Sequence, residues 1–199
     1  MSFKKKDNQV YYNPIRRAVL NHQMIQPGDK VAIGMSGGKD STSLLYFLDM
    51  ISKQKRLGFE FEIVPITLAM GFDVDIAPMQ AFVEELGYTL DVVPTNIAQV
   101  VFDIREERSP CSLCAKLRRG ILYNRAKELG CNKVALGHHL DDAIETYFMN
   151  FFFHGQLASF EPRSYLSKTD TTLIRPLLYI EEKEIIRFVK REELPVIFN

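Results

Sequence analysis

The chain has 199 residues, 46% of them hydrophobic and 25% charged, with 25 Lys and Arg balanced by 25 Asp and Glu. That mixture is ordinary for a globular protein and excludes a disordered or fibrous one. The length fits one domain over 1–199, and no apolar run approaches the ~20 residues that span a bilayer, so no membrane role is expected.

The N-terminus, Met1-Ser2-Phe3-Lys4-Lys5-Lys6-Asp7, carries positive charge with no apolar stretch behind it, unlike a secretory leader. Three cysteines are too few and too unevenly placed for a disulfide framework. A cytoplasmic chain with reduced thiols is expected. Residues 1–28 read as a basic, helical extension, with Lys4, Lys5, Lys6, Arg16 and Arg17 clustered in it.

Residues 31–35 form a short apolar strand running into glycines, and 40–53 a helix with Leu44, Phe47, Leu48 and Ile51 on one stripe. A second strand is expected over 61–68, a helix over 76–86 closed by Gly87, and a third strand over 88–93. Helices follow over 97–105 and 113–129, the latter ended by Gly130; then come a fourth strand over 133–137 and a helix over 142–153. The polar stretch 154–170 breaks the rhythm. Residues 163–167 turn through Lys168-Thr169-Asp170 in a hairpin-like excursion into a fifth strand, 171–174, before an amphipathic helix over 181–191. Residues 194–199 look like a further strand. Strand–helix alternation implies an α/β fold with right-handed crossovers and a parallel five-stranded sheet covered on both faces, ordered 3-2-1-4-5.

Where the first strand gives way to a helix stands Ser36-Gly37-Gly38-Lys39-Asp40-Ser41, led in by Gly34 and Met35. Adjacent glycines let the backbone fold tightly and bring N–H groups to one anion, and the helix start adds its positive end. Lys39 supplies a charge, and Ser36, Ser41 and Thr42 supply hydroxyls, so phosphate is the expected guest. The spacing is neither a Walker loop nor a dinucleotide fingerprint. Asp40 would repel bare phosphate, so it either caps the helix or holds a divalent metal bridging to phosphate.

Gly137-His138-His139-Leu140-Asp141-Asp142 leaves the fourth strand, the neighbour of the first in the expected order, so both loops should face one crevice at the switch point. Asp141 and Asp142 can ligate magnesium or orient a reacting base, and His138 or His139 can touch phosphate. Asp142 with Glu145 also reads as a capping box.

Cys111-Ser112-Leu113-Cys114 opens the long helix after Pro110, and Cys114, Arg118 and Arg125 fall on one face of it. Such a pair can bind zinc or an iron–sulfur cluster, cycle through a disulfide, or sit buried as two structural thiols. Cys131, on the order of 20 Å further along the helix, is a poor third ligand and a better core residue. Seven basic residues lie between Arg105 and Lys127 (Arg105, Arg108, Lys116, Arg118, Arg119, Arg125, Lys127) against Glu106 and Glu107, either a solvated face or a patch for a polyanion.

The string Ser36–Ser41 resembles the signature loop of the PP-loop ATP pyrophosphatases. The run from Cys111 to Tyr123, Leu136-Gly137-His138-His139-Leu140-Asp141-Asp142 and Ile174-Arg175-Pro176-Leu177 resemble the tRNA 2-thiocytidine synthetases of that family, in the same order and from about Tyr11 onward. The resemblance implies a Rossmann-like adenine nucleotide alpha hydrolase fold. It implies ATP and magnesium at Gly34 to Thr42 with Gly137 and His138, and chemistry by Lys39, Asp40, Asp141 and Asp142, with Asp40 and Asp142 on the metal. It implies adenylation of the C2 oxygen of an anticodon-loop cytidine, then displacement of AMP by sulfur from a donor such as a cysteine desulfurase. A [4Fe-4S] cluster would take Cys111 and Cys114, with its third cysteine in a segment expected beyond Asn199. RNA would dock on Lys116, Arg118, Arg119 and Arg125, and a homodimer is an open expectation. A sulfonucleotide reductase-like enzyme and a non-catalytic ATP- or metal-binding module are the competing readings.

Overall fold

The computed structural model describes residues 5–55, 57–70, 74–104 and 110–197. Lys4, Arg105, Arg108, the side chain of Cys111 and residues 198–199 of the expected last strand lie outside the described residues.

The chain opens with α1 (Lys5–Asp7), a π-wound stretch (Asn8–Tyr12) and α2 (Asn13–Asn21). Then follow β1 (Lys30–Met35), α3 (Lys39–Lys53), β2 (Glu62–Ala69), α4 (Ala77–Glu85) and β3 (Asp91–Pro94). A second π-wound stretch (Gln99–Ile104) precedes α5 (Pro110–Glu128), β4 (Lys133–Ala135) and α6 (Leu140–His154). A hairpin of β5 (Arg163–Leu166) and β6 (Thr171–Ile174) leads to α7 (Glu182–Arg191).

The sheet runs β3-β2-β1-β4-β6-β5. Its first five members are parallel, in the expected order with β6 as the fifth. The sixth strand corrects the expected count: the hairpin excursion pairs antiparallel, Arg163 opposite Ile174 and Leu166 opposite Thr171, and adds an edge strand. β3 starts at Asp91 rather than at residue 88, because the Tyr88 amide returns to the Val83 carbonyl of α4 (3.1 Å) and its hydroxyl donates to Asp49 (2.8 Å). Residues 194–197 are not a strand. Their polar groups turn instead to the glycine loop, with the Ile197 N–H on the Gly37 carbonyl at 2.8 Å.

Alternation along β1 sorts the two faces. Val31, Ile33 and Met35 join the larger core with α2, α3, α4 and α7. Ala32 joins the smaller one, with Leu122 and Ala126 of α5, Val134 and Leu173. Gly34 is small because α5 lies close: a Cβ there would stand 2.8 Å from Leu122 Cδ2. Phe47 of α3 packs on Phe188 of α7 and on Tyr11, with ring centroids 4.5 and 5.4 Å apart, so the N-terminal segment is fastened to the same core. Cys131 is buried in the smaller core, as expected.

Candidate functional site

The phosphate-type loop is built by its own hydroxyls. Gly37 has φ +81°, a conformation side chains resist, and this turns the chain sharply at the end of β1. Ser41 Oγ donates to the Gly38 carbonyl (3.0 Å) and accepts from the Ser36 amide (3.2 Å). Gly38 caps α3 without a side chain, which leaves the first amides of the helix directed outward, a ready anion site. Thr42, expected among the ATP-binding residues, has a buried hydroxyl that donates toward the Gly38 and Pro195 carbonyls (3.1 and 3.3 Å) and holds the loop from beneath.

The histidine–aspartate segment lies directly against this loop. A Cβ on Gly137 would be 2.9 Å from the Asp40 carbonyl carbon. The capping box is His139 with Asp142, not Asp142 with Glu145: the His139 amide donates to Asp142 Oδ2 (2.8 Å) and the Asp142 amide to His139 Nδ1 (3.4 Å). Asp141 Oδ2 accepts the Glu182 amide at the start of α7 (2.6 Å), which ties the segment to that helix. Lys39 Nζ sits 2.8 Å from Glu182 Oε1 and 3.2 Å from Asp40 Oδ2.

Between these segments opens a cavity of about 850 Å³. Gly34, Met35, Ser36, Gly38, Asp40 and Ser41 line one side, with Gly137, His138 and Asp142 beside them. Ile66, Leu68, Met70 and Met79 make an apolar wall, and Arg118, Arg119 and Tyr123 of α5 face it with Arg175 from the end of β6. Gly37, Lys39, Thr42 and Asp141 do not line it. Nor does Lys116, exposed on α5. Arg125, expected in the RNA-binding set, meets an Asp91 carboxylate oxygen with each of Nε and Nη2 at 2.8 Å, a two-pronged tie from α5 to β3.

Electrostatics set the protonation states. Burial raises the Asp40 pKa above the usual carboxylate range against the opposing pull of Lys39, and its Oδ1 is buried without a hydrogen-bond partner. Burial works against the Lys39 charge, but the hydrogen bond to Glu182 and the Asp40 carboxylate outweigh it and raise its pKa. Burial, then the charge of Arg175, holds His138 below the ordinary histidine value and keeps it neutral.

An orphaned carboxylate oxygen on Asp40, with Asp142 lining the same end of the cleft, suits a magnesium ion that takes its other ligands from substrate phosphates and water. Among the described residues no three His, Cys, Asp or Glu groups stand close enough to hold a metal by themselves. Cys114 is half-buried and free one residue before Ala115, a cleft residue, while Cys131 lies beyond the far end of α5. Among the described side chains, Cys114 is the one cysteine beside the cleft that could serve as a ligand to a [4Fe-4S] cluster.

Glu182 and Arg175 carried no role in the sequence reading. Arg175 was visible only as part of a motif, and only the packing of α7 reveals Glu182.

A parallel α/β sheet with a glycine loop and paired carboxylates at its switch point defines a nucleotide-binding protein of the PP-loop class. The PP-loop domain family model matches residues 8–197. The chain is 41% identical over 192 residues to the tRNA-cytidine(32) 2-sulfurtransferase of Geobacter sulfurreducens, covering 93% of this chain and 72% of that protein. The U34-tRNA thiolase NcsA from Methanococcus maripaludis, solved with its [4Fe-4S] cluster, superposes with TM-score 0.72 at 26% identity over 92% of this chain. This chain spans 63% of that thiolase's length. A phosphoadenylyl-sulfate reductase from Candida auris shares the fold alone, at TM-score 0.54 and 14% identity over 99% of this chain and 91% of its own. The chain belongs to the PP-loop family, in the group of the tRNA-cytidine(32) 2-sulfurtransferases.

Proposed function

We propose that the protein thiolates tRNA at the expense of ATP, replacing the C2 oxygen of an anticodon-loop cytidine by sulfur with release of AMP and pyrophosphate. The observation that carries this is the meeting of Asp40 and Asp142 at one cleft with the glycine loop, Gly137 touching Asp40. The first amides of α3 receive the triphosphate, and Ile66, Leu68, Met70 and Met79 offer the adenine an apolar wall. Asp40 and Asp142 would hold a magnesium ion, which would supply positive charge where pyrophosphate departs.

The cytidine C2 oxygen attacks the α-phosphorus, the bond to the β-phosphate oxygen breaks, and pyrophosphate leaves. A sulfur nucleophile then adds at C2 and AMP departs with the oxygen. Neutral His138 is placed to donate or accept a hydrogen bond at the reacting base without adding charge. The two cysteines at the start of α5 are a partial ligand set for an iron–sulfur cluster, and no step here depends on one. Sulfur comes from a donor such as a cysteine desulfurase, in the cytoplasm where tRNA resides.

Incubation with ATP, magnesium, tRNA and sulfide should yield AMP, pyrophosphate and thiolated cytidine, and Asp40→Asn should abolish all three. ADP and phosphate as products would overturn the reading, as would ATP bound but left intact or thioredoxin-dependent release of sulfite.

We further infer that two copies pair through α6. None of its residues is fully buried, and Phe148, Met149, Phe151, Phe152 and Phe153 are 45–77% exposed, with Leu157 beside them at 71%. At ~200 Å² for a whole aromatic side chain this is roughly 700 Å² of apolar surface, close to one side of an ordinary interface and more than a monomer normally exposes. The helix carries no Lys or Arg, which disfavours RNA or an anionic lipid surface as its cover. Among the described residues no helix is long and apolar enough to cross a membrane. Light scattering should report a dimer that Phe152→Asp with Phe153→Asp converts to monomer; a monomeric parent overturns the inference.

A further inference from the structure

The cleft has two electrically different ends. Around the glycine loop stand the carboxylates of Asp40 and Asp142. Across it Arg118, Arg119 and Arg175 enter with no carboxylate partner: none of them takes part in an ion pair among the described residues.

Arg175 is the unusual member. It is 8% exposed, its guanidinium lies 4.6 Å from the Phe160 ring centroid, and Nη1 donates to the Glu161 carbonyl. Its Nε is buried with no hydrogen-bond partner. The neighbouring His138 Nδ1 is likewise buried and unpartnered. Burial disfavours the charge on Arg175 most; Tyr123 and Glu161 favour it and the nearby Arg119 opposes it. A buried guanidinium with an idle donor beside a second cation is costly unless an anion completes it.

We propose that Arg175, with Arg119 and Arg118 above it, holds a backbone phosphate of the RNA substrate on the wall of the cleft away from the glycine loop. This rests on the tRNA reading given above. The triphosphate is already provided for by the first amides of α3 at the end of β1. Arg175 follows β6, two strands away from β1, which at ~4.8 Å per strand sets its backbone about 10 Å from that of the loop. An RNA strand that splays its base toward the reacting α-phosphate has a flanking phosphate to place on that far wall. Guanidinium suits the task because it offers several donors in one plane to a single phosphate.

The test is tRNA binding as a function of salt, with ATP binding to the RNA-free protein measured beside it. Arg175→Gln should weaken tRNA binding about tenfold and make the dependence of log K on log salt shallower by ~0.7–0.9, one phosphate contact, while leaving ATP affinity unchanged. Arg175→Lys should keep the slope. Arg119 is exposed on α5, so Arg119→Gln tests the same subsite without disturbing a buried position, and should also flatten the slope. A flattened slope in either Gln variant with ATP affinity intact supports the subsite. An unchanged slope in both, or an equal loss of ATP affinity, overturns it and leaves the thiolation reading standing. Parent protein that binds ATP but no tRNA removes both.

Discussion

Gly137 and Asp40, nearly a hundred residues apart, touch through their backbones: a Cβ on Gly137 would stand 2.9 Å from the Asp40 carbonyl carbon and 3.0 Å from its Cβ. The turn after β4 and the start of α3 are thus locked face to face, and the space between Asp40 and Asp142 is set by the missing side chain. Gly137→Ala should push the two loops apart at a cost of ~1–3 kcal/mol in urea denaturation, and should weaken ATP binding more than that loss of stability explains.

Lys39 is held by Glu182 from α7, at 2.8 Å, and must leave it to reach a phosphate. The pair is partly exposed, so the competition is modest. Glu182→Gln should tighten ATP binding about two- to fivefold in calorimetry, and Lys39→Ala should weaken it. Weaker binding in Glu182→Gln would mean that the carboxylate aims the ammonium and does not restrain it.

His138 gives the fold an acid-sensitive point. Its native pKa lies below the unfolded value near 6.5, so below that pH the unfolded chain takes up more protons and stability falls as pH is lowered. The loss begins near pH 6.5 and ends once the native pKa is passed, with a slope of at most ~1.4 kcal/mol per pH unit. Thermal melts from pH 7.5 to 5 should show a steeper decline for the parent than for His138→Gln. Parallel declines would assign the acid sensitivity elsewhere.

Arg125 and Arg119, six residues apart on α5, should separate cleanly. The Arg125 tie to Asp91 holds that carboxyl below the usual range and spans two elements. Arg125→Gln should lower the melting temperature slightly at neutral pH and leave the salt dependence of tRNA binding as it was. Because the Asp91 pKa is depressed, that contribution is present above the unfolded carboxyl pKa and fades as pH falls through the native one.

Much of the sheet was legible because β1, β2, β4 and β6 are short apolar runs that no helix could use, and the hairpin before β6 announced itself through Lys168-Thr169-Asp170. The convergence of the glycine loop with Gly137–Asp142 followed from strand order alone. What escaped was partnership across elements. Lys39 looked free because Glu182 lies over 140 residues away and reaches it only when α7 packs on α3. Arg125 looked like a surface cation because nothing local points to Asp91. Asp142 was matched to Glu145 by spacing, whereas the backbone chose His139, whose imidazole sits at the turn where an N-cap acceptor is needed.

The Thr42 hydroxyl donates to the Pro195 carbonyl and the Gly37 carbonyl accepts from the Ile197 amide, and for Thr42 the separation along the chain is 153 residues. During synthesis the glycine loop therefore leaves the ribosome early and is completed late. At ~5–20 residues per second it waits many seconds with its floor unmade. Competence to capture a nucleotide then arrives only once residue 197 has emerged, and a nascent chain stalled after α6 carries the motif without the grip.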